Sequence, residues 1–185
     1  MRAAARVVDN PAYTQKMLHL QALIKYALDE TRSCKTLLDQ CLQDDPHVMI
    51  NYAAISFKEA KYEEARLKYS EALNSLGYMP DLIYNIALCY FSMKQYSNAL
   101  HLYEKNEVIY LQNAEAYQAN IARNQNNKAL CYEKMKEYET AKRFFRKAIE
   151  ITHKKQDKYS EIDKYYHNLA SCFSKQKLYN EALTY

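Results

Sequence analysis

Asn85-Ile86-Ala87-Leu88-Cys89-Tyr90-Phe91-Ser92-Met93-Lys94-Gln95-Tyr96-Ser97-Asn98-Ala99 decides the fold. An alanine follows the asparagine by two residues, a tyrosine comes nine residues later, and a second alanine three after that. The same frame holds Asn51, Ala53, Tyr62 and Ala65, then Asn127, Ala129, Tyr138 and Ala141, then Asn168, Ala170, Tyr179 and Ala182. Small side chains where two rods cross let their backbones approach closely. Each copy therefore reads as a pair of helices, with Asn and the first Ala on one and Tyr and the second Ala on the other. Copies of such a pair stack on their neighbours rather than closing around a single core, which predicts an all-α, open-ended array.

The residues around the frame agree. Tyr69, Tyr103 and Phe145 lie four residues after the second alanine and so share its helix face. Ala72 and Ala148 supply a further small residue, and Asn106 interrupts that slot in the middle copy. One glycine and three prolines among 185 residues leave little material for hairpins, so strand-rich folds are excluded.

These positions resemble the tetratricopeptide repeat, the helix-turn-helix unit that stacks into a right-handed superhelical solenoid. Successive second alanines are 34, then 42, then 41 residues apart. The two longer intervals predict about two extra helical turns, with Glu104–Gln118 and Glu150–Tyr165 as the extended segments. Within the latter, the polar run His153–Lys158 is expected to form a solvated turn. An earlier, degenerate copy places Ala22 and Tyr26 on a first helix and Cys34, Leu38 and Cys41 on a second, with Pro46 closing it. Ala3–Val8 reads as the tail of a preceding helix. The expected domains are 1–46 (degenerate repeat with a preceding half-repeat), 47–106 (two standard repeats) and 107–185 (two long-helix repeats, the last truncated at Tyr185). Without polar capping helices, and with Val7, Leu183 and Tyr185 at its ends, the chain reads as a segment of a longer array or as a chain shielded by partners.

A second resemblance rests on particular links. Asp9-Asn10-Pro11-Ala12-Tyr13, Leu20-Gln21-Ala22, Ile24-Lys25-Tyr26, Gly77-Tyr78, Pro80-Asp81-Leu82, Tyr84-Asn85, Ala87-Leu88, Tyr90, Gln95-Tyr96 and Ala99-Leu100 occur in order across residues 3–103. Together they resemble the fleer-type tetratricopeptide subunit of intraflagellar-transport complex B. That likeness implies a scaffold of the cytoplasm and cilium or flagellum that wraps a segment of another subunit. Residues 104–185 look like generic long-helix repeats.

Other function classes find no residues to carry them. Charges are balanced through residue 103, at 11 basic and 11 acidic, and become 15 and 11 afterwards. Their mixed signs along helix faces argue against a nucleic-acid surface. No apolar run reaches the ~18 residues of a membrane span. Cys34, Cys41, Cys89, Cys131 and Cys172 take small-residue positions and read as buried free thiols, not metal ligands or disulfides. His19, His47, His101, His153 and His167 are scattered, and the single glycine rules out a phosphate loop. No catalytic residue, metal site, cofactor or small-molecule substrate is expected.

A partner groove is the better expectation. In repeats of this kind, the first-helix positions one before the Asn and three and six after it face the concave side. They are Ile50, Ala54 and Phe57, then Tyr84, Leu88 and Phe91, then Asn126, Leu130 and Glu133, then His167, Ser171 and Ser174. The line grades from apolar to polar. Ile50, Ala54, Phe57, Tyr84, Leu88, Phe91 and Leu130 are the candidate anchors for an apolar helix or extended peptide of a multi-subunit complex. Phe57 and Phe91 also admit a purely structural role, packing against neighbouring repeats. The Lys and second Asn of a chaperone-tail clamp are absent from these slots. The expected function is a non-enzymatic scaffold of ciliary transport. The alternatives are a fixed axonemal structural protein or a motor or cargo adaptor, suggested by the 42-residue spacing.

Overall fold

A computed structural model describes residues 11–155 and 161–176. Among these residues there are nine helices and no strand. They are α1 (Pro11–Ala27), α2 (Thr31–Leu38), α3 (Pro46–Lys58), α4 (Tyr62–Leu76), α5 (Pro80–Ser92), α6 (Tyr96–Gln112), α7 (Gln118–Lys134), α8 (Tyr138–Lys155) and α9 (Ile162–Lys175). Ala3–Val8, Tyr179, Ala182, Leu183 and Tyr185 lie outside the described residues.

Punctuation follows backbone chemistry. All three prolines open a first helix, at Pro11, Pro46 and Pro80, where the missing N–H is no loss. Asp45 caps α3 by accepting the His47 backbone N–H at 2.8 Å. Gly77, at φ +79°, ends α4 in a conformation that a side chain would strain.

The turn inside each pair is a fixed device. Three residues join α1 to α2, α3 to α4, α5 to α6 and α7 to α8, and the middle one is left-handed each time. These residues are Asp29 (φ 62°), Ala60 (61°), Lys94 (62°) and Lys136 (66°). The next N–H reaches back five residues at 2.9 Å in all four turns, as from Lys61 to the Ser56 carbonyl or Glu137 to the Tyr132 carbonyl. That reverse bond satisfies carbonyls that the helix end would otherwise strand. Asp29 makes the degenerate first copy a complete pair, and its Ala22, Cys34, Leu38 and Cys41 are all buried.

Packing divides the chain into two compact units, residues 1–89 and 90–185. In the first, α1 lies on α2, α2 on α3 and α3 on α4, and α1 also touches α3. Ala53, Ala65 and Ala72 are fully buried there, as the crossing argument requires. In the second unit α6 lies on α7, α7 on α8 and α8 on α9, and α7 also touches α9. Its core holds Ala129, Ala141, Phe145, Ala148, Leu169 and Cys172, each with no exposed area. Contact between one first helix and the next, as in α1 with α3 and α7 with α9, is the mark of stacked repeats. All five cysteines are free and buried.

The 42-residue interval is built differently from one long helix. Relative to the preceding copy, α6 gains two residues over α4, the link gains two, and α7 gains four over α5. The expected extension Glu104–Gln118 is therefore broken at Asn113, whose side-chain oxygen accepts the Ala116 N–H at 3.4 Å. An asparagine that bonds its own downstream backbone competes with helix continuation. Of the polar run 153–158, residues 156–158 lie outside the described residues, and 153–155 are helical rather than a turn. α8 continues through Lys155, and the His153 ring nitrogen meets the Tyr166 hydroxyl of α9 at 2.7 Å.

Candidate functional site

Ile50, Ala54 and Phe57 fall at i, i+4 and i+7 on α3, so they share one face. Tyr84, Leu88 and Phe91 repeat that spacing on α5. All six are half-buried. The Phe57 ring meets Tyr62 edge-on at 5.2 Å and 62°, and Phe91 meets Tyr96 at 5.4 Å and 62°. Each phenylalanine thus braces the tyrosine that opens its partner helix while leaving part of its ring in solvent. Such edge-to-face pairs contribute about 0.5–1.5 kcal/mol beyond area burial.

Leu130 behaves otherwise. It is half-buried on α7 and packs against the core of the second unit. Its polar companions are engaged by α9. The Asn168 amide donates to the Asn126 side-chain oxygen at 2.9 Å, and the Lys175 ammonium pairs with Glu133. Asn126 has no exposed area and Glu133 little, so these groups are spent within the unit. His167 and Ser174 are exposed on α9, and Ser171 is half-buried.

The sequence reading missed a buried polar network on α7. Asn124, Gln125, Asn126, Asn127 and Lys128 are all buried. Asn124 donates to the Tyr103 carbonyl at 2.7 Å, and Gln125 to Glu107 at 2.6 Å. The Lys128 ammonium reaches the other Glu107 oxygen at 2.7 Å, while Lys147 stands 3.5 Å from the first. Burial alone would push the Glu107 carboxyl up. The Lys128, Gln125 and Lys147 donors outweigh it and hold the group below the ordinary carboxylate range. The Asn124 and Gln125 side-chain oxygens find no hydrogen-bond partner among the described residues. Five consecutive polar residues in a helix flanked by packed helices were the available signal.

Among the described residues, no three His, Cys, Asp or Glu side chains converge as a metal site would need. No described helix is long and apolar enough to cross a membrane. Burial raises the cysteine thiols, Cys131 to about 12 and Cys89 and Cys172 to about 11, so they stay protonated at neutral pH.

Paired helices, a repeated left-handed turn and first-helix stacking define an α-helical repeat protein. A tetratricopeptide-repeat family model matches residues 78–154 and 120–185, and the chain belongs to that family. Intraflagellar transport protein 70A of Danio rerio is 46% identical over 94 residues, covering 51% of this chain and 14% of that protein. The Xenopus laevis counterpart is 46% identical over 97 residues (52% and 15%), and the human one 38% over 109 (54% and 16%). The chain thus spans 14 to 16% of the length of these three relatives. Among solved structures, MamA from Desulfovibrio magneticus RS-1 superposes with a TM-score of 0.69 at 17% identity, over 92% of this chain and 90% of that one. BtubC from P. vanneervenii gives 0.76 at 14% identity, over 99% and 82%. Both likenesses speak to the fold alone.

Proposed function

We propose that this chain is part of a non-enzymatic scaffold of a ciliary intraflagellar-transport assembly, holding a segment of another subunit. The observation that carries it is the 46% identity to intraflagellar transport protein 70A over 94 residues, far above the level at which the solved repeat structures share only a fold. The gripping residues are Ile50, Ala54 and Phe57 on α3 and Tyr84, Leu88 and Phe91 on α5, with Leu130 on α7 as a subsidiary contact. Half-exposed apolar side chains favour this choice, because covering each large one removes remaining apolar area from water at roughly 1 kcal/mol apiece. The polar positions Asn126 and Glu133 on α7 are already paired and offer a partner less. The repeats group as 1–46, 47–106 and 107–185, and the site of action is the cytoplasm and cilium.

The test is co-purification from ciliated cells. The tagged chain is expected to bring down complex-B subunits. Ile50→Asp with Tyr84→Asp, and separately Phe57→Asp with Phe91→Asp, are expected to abolish that while helicity by circular dichroism is retained. Unchanged recovery in both double variants refutes the groove assignment. The departure of residues 104–185 from the transport-subunit likeness favours a second reading, a fixed axonemal protein. Detergent extraction of cilia separates the two. A transport subunit leaves with the soluble fraction, and an axonemal one stays with the doublets.

A further inference from the structure

The second unit carries a surface that the first-helix groove does not include. On α8, Arg143, Arg146 and Lys147 are exposed and line a groove of about 520 Å³ with Phe144 and a single carboxylate, Glu150. Lys147 also lines a hollow of about 320 Å³ whose walls include the apolar Leu111, Ile121 and Ile151 and the carboxylates of Glu107 and Glu115. The shared lysine makes the two one continuous strip. It runs from Arg143 to Ile151, eight residues of helix, or roughly 12 Å at 1.5 Å per residue.

Two features show that this strip is unsatisfied. Arg123, Lys128, Lys142, Lys164 and Lys175 in the same unit each face a carboxylate. The Arg143 and Arg146 guanidiniums have no such partner among the described residues. Each approaches a ring, Phe144 at 5.7 Å and Phe173 at 5.6 Å, and Arg146 adds a charge attraction to Glu139 without an ion-pair contact. Leu111 of α6, in the wall of the hollow, is 56% exposed. The hollow sits where the eight additional residues enter the 42-residue interval, at the end of α6, the link and the start of α7.

We propose that the outer face of α8 and the α6–α7 insertion form a second docking surface, whose occupant is an amphipathic acidic segment of a partner protein. Charge complementarity sets the sign. Two guanidinium forks without an ion-pair partner match carboxylates bidentately, and they share their groove with one carboxylate, Glu150, while Lys147 is already paired with Glu107. The hollow sets the other half of the partner. Leu111, Ile121 and Ile151 complement apolar side chains, which a phosphate backbone does not offer. A segment of about two helical turns spans both parts.

The experiment is fluorescence anisotropy on the whole chain, with a labelled amphipathic helix of leucine, alanine and glutamate as probe. The expected result is saturable binding, weakened about ten-fold or more by R143E with R146E and by Leu111→Asp, since charge-assisted pairs and buried apolar anchors are each worth about one decade. Arg143→Gln with Arg146→Gln is expected to weaken it less, and Leu67→Asp, on the exposed face of α4, not at all. The same peptide with lysine for glutamate is expected not to bind. The Phe57→Asp and Phe91→Asp variant is expected to bind normally, which keeps this surface separable from the first-helix groove. Absence of binding, equal binding of the lysine peptide, or insensitivity to the α8 and Leu111 changes overturns the proposal. Tighter binding of single-stranded RNA or anionic vesicles than of the acidic peptide also overturns it.

Discussion

Removing one member of the buried pair between α6 and α7 tests whether polar contacts hold the inserted repeat together. The Lys128 and Glu107 side chains are 7% and 14% exposed and 2.7 Å apart. Breaking a buried pair costs ~3–5 kcal/mol, because the remaining charge stays desolvated. Glu107→Gln strands the Lys128 ammonium with only the Phe144 ring, 4.7 Å away, for company. Residual exposure lets that ammonium shift toward water, so a loss of about 3 kcal/mol is expected, at the low end of that range. Lys128→Met leaves Glu107 with Gln125 and Lys147, and about 2 kcal/mol is expected. The double variant removes both charges and is expected to cost about 3 rather than 5 kcal/mol, a coupling of about 2. Urea unfolding followed by far-ultraviolet circular dichroism reads this directly. With a slope of about 2 kcal/mol/M, Glu107→Gln lowers the midpoint by about 1.5 M. The pH dependence has a definite sign. The folded carboxyl sits below its ordinary value, so its contribution is full above about pH 4.3 and is lost as pH falls through the lower folded value. Glu107→Gln is expected to flatten that acid limb. Additive single variants, or acid limbs that run parallel in wild type and Glu107→Gln, would show that the network is structurally idle.

Three further outcomes follow from the packing. Ala60→Gly and Lys94→Gly are each expected to raise the unfolding midpoint, by roughly 0.5–1 kcal/mol, because relief of left-handed strain exceeds glycine's added chain entropy; a fall in midpoint would contradict the observed turn. Ala141→Leu, at a fully buried crossing, is expected to destabilise by about 1–3 kcal/mol through overpacking, read in the same urea assay. The five thiols are expected to resist an aromatic disulfide reagent in native buffer near pH 8 and all to react in denaturant; rapid native labelling of Cys131 would contradict its burial.

Small residues made the architecture legible. Ala53, Ala65, Ala87, Ala99, Ala129 and Ala141 were placed at helix crossings by spacing alone, and each has no exposed area. The degenerate first copy was readable for the same reason, since Cys34 and Cys41 are small enough for alanine slots. The turn residues were not readable. Asp29, Ala60, Lys94 and Lys136 share a left-handed conformation without sharing a side chain, because the reverse hydrogen bonds of the turn, not glycine, enforce it. The half-buried apolar residues of α3 and α5 were placed on single helix faces by simple periodicity, which needs no knowledge of neighbours.

The polar part of the second unit needed exactly that knowledge, and an insertion withholds it. Glu107 meets Gln125 and Lys128 across an interval that the eight added residues redistribute among α6, the link and α7, so no repeat register predicts their meeting. Asn126 with Asn168 and Glu133 with Lys175 tell the complementary story. Both pairs are 42 residues apart, one more than the 41 residues that separate Asn127 from Asn168. Successive first helices therefore meet one residue out of step, and side chains at unlike repeat positions pair. A half-satisfied polar network costs more than an apolar core. The lengthened repeats thus depend on specific partners where α3 and α5 carry generic apolar side chains. That difference explains why α3 and α5 keep half-exposed apolar faces, while the same positions on α7 have been drawn into the unit's own packing.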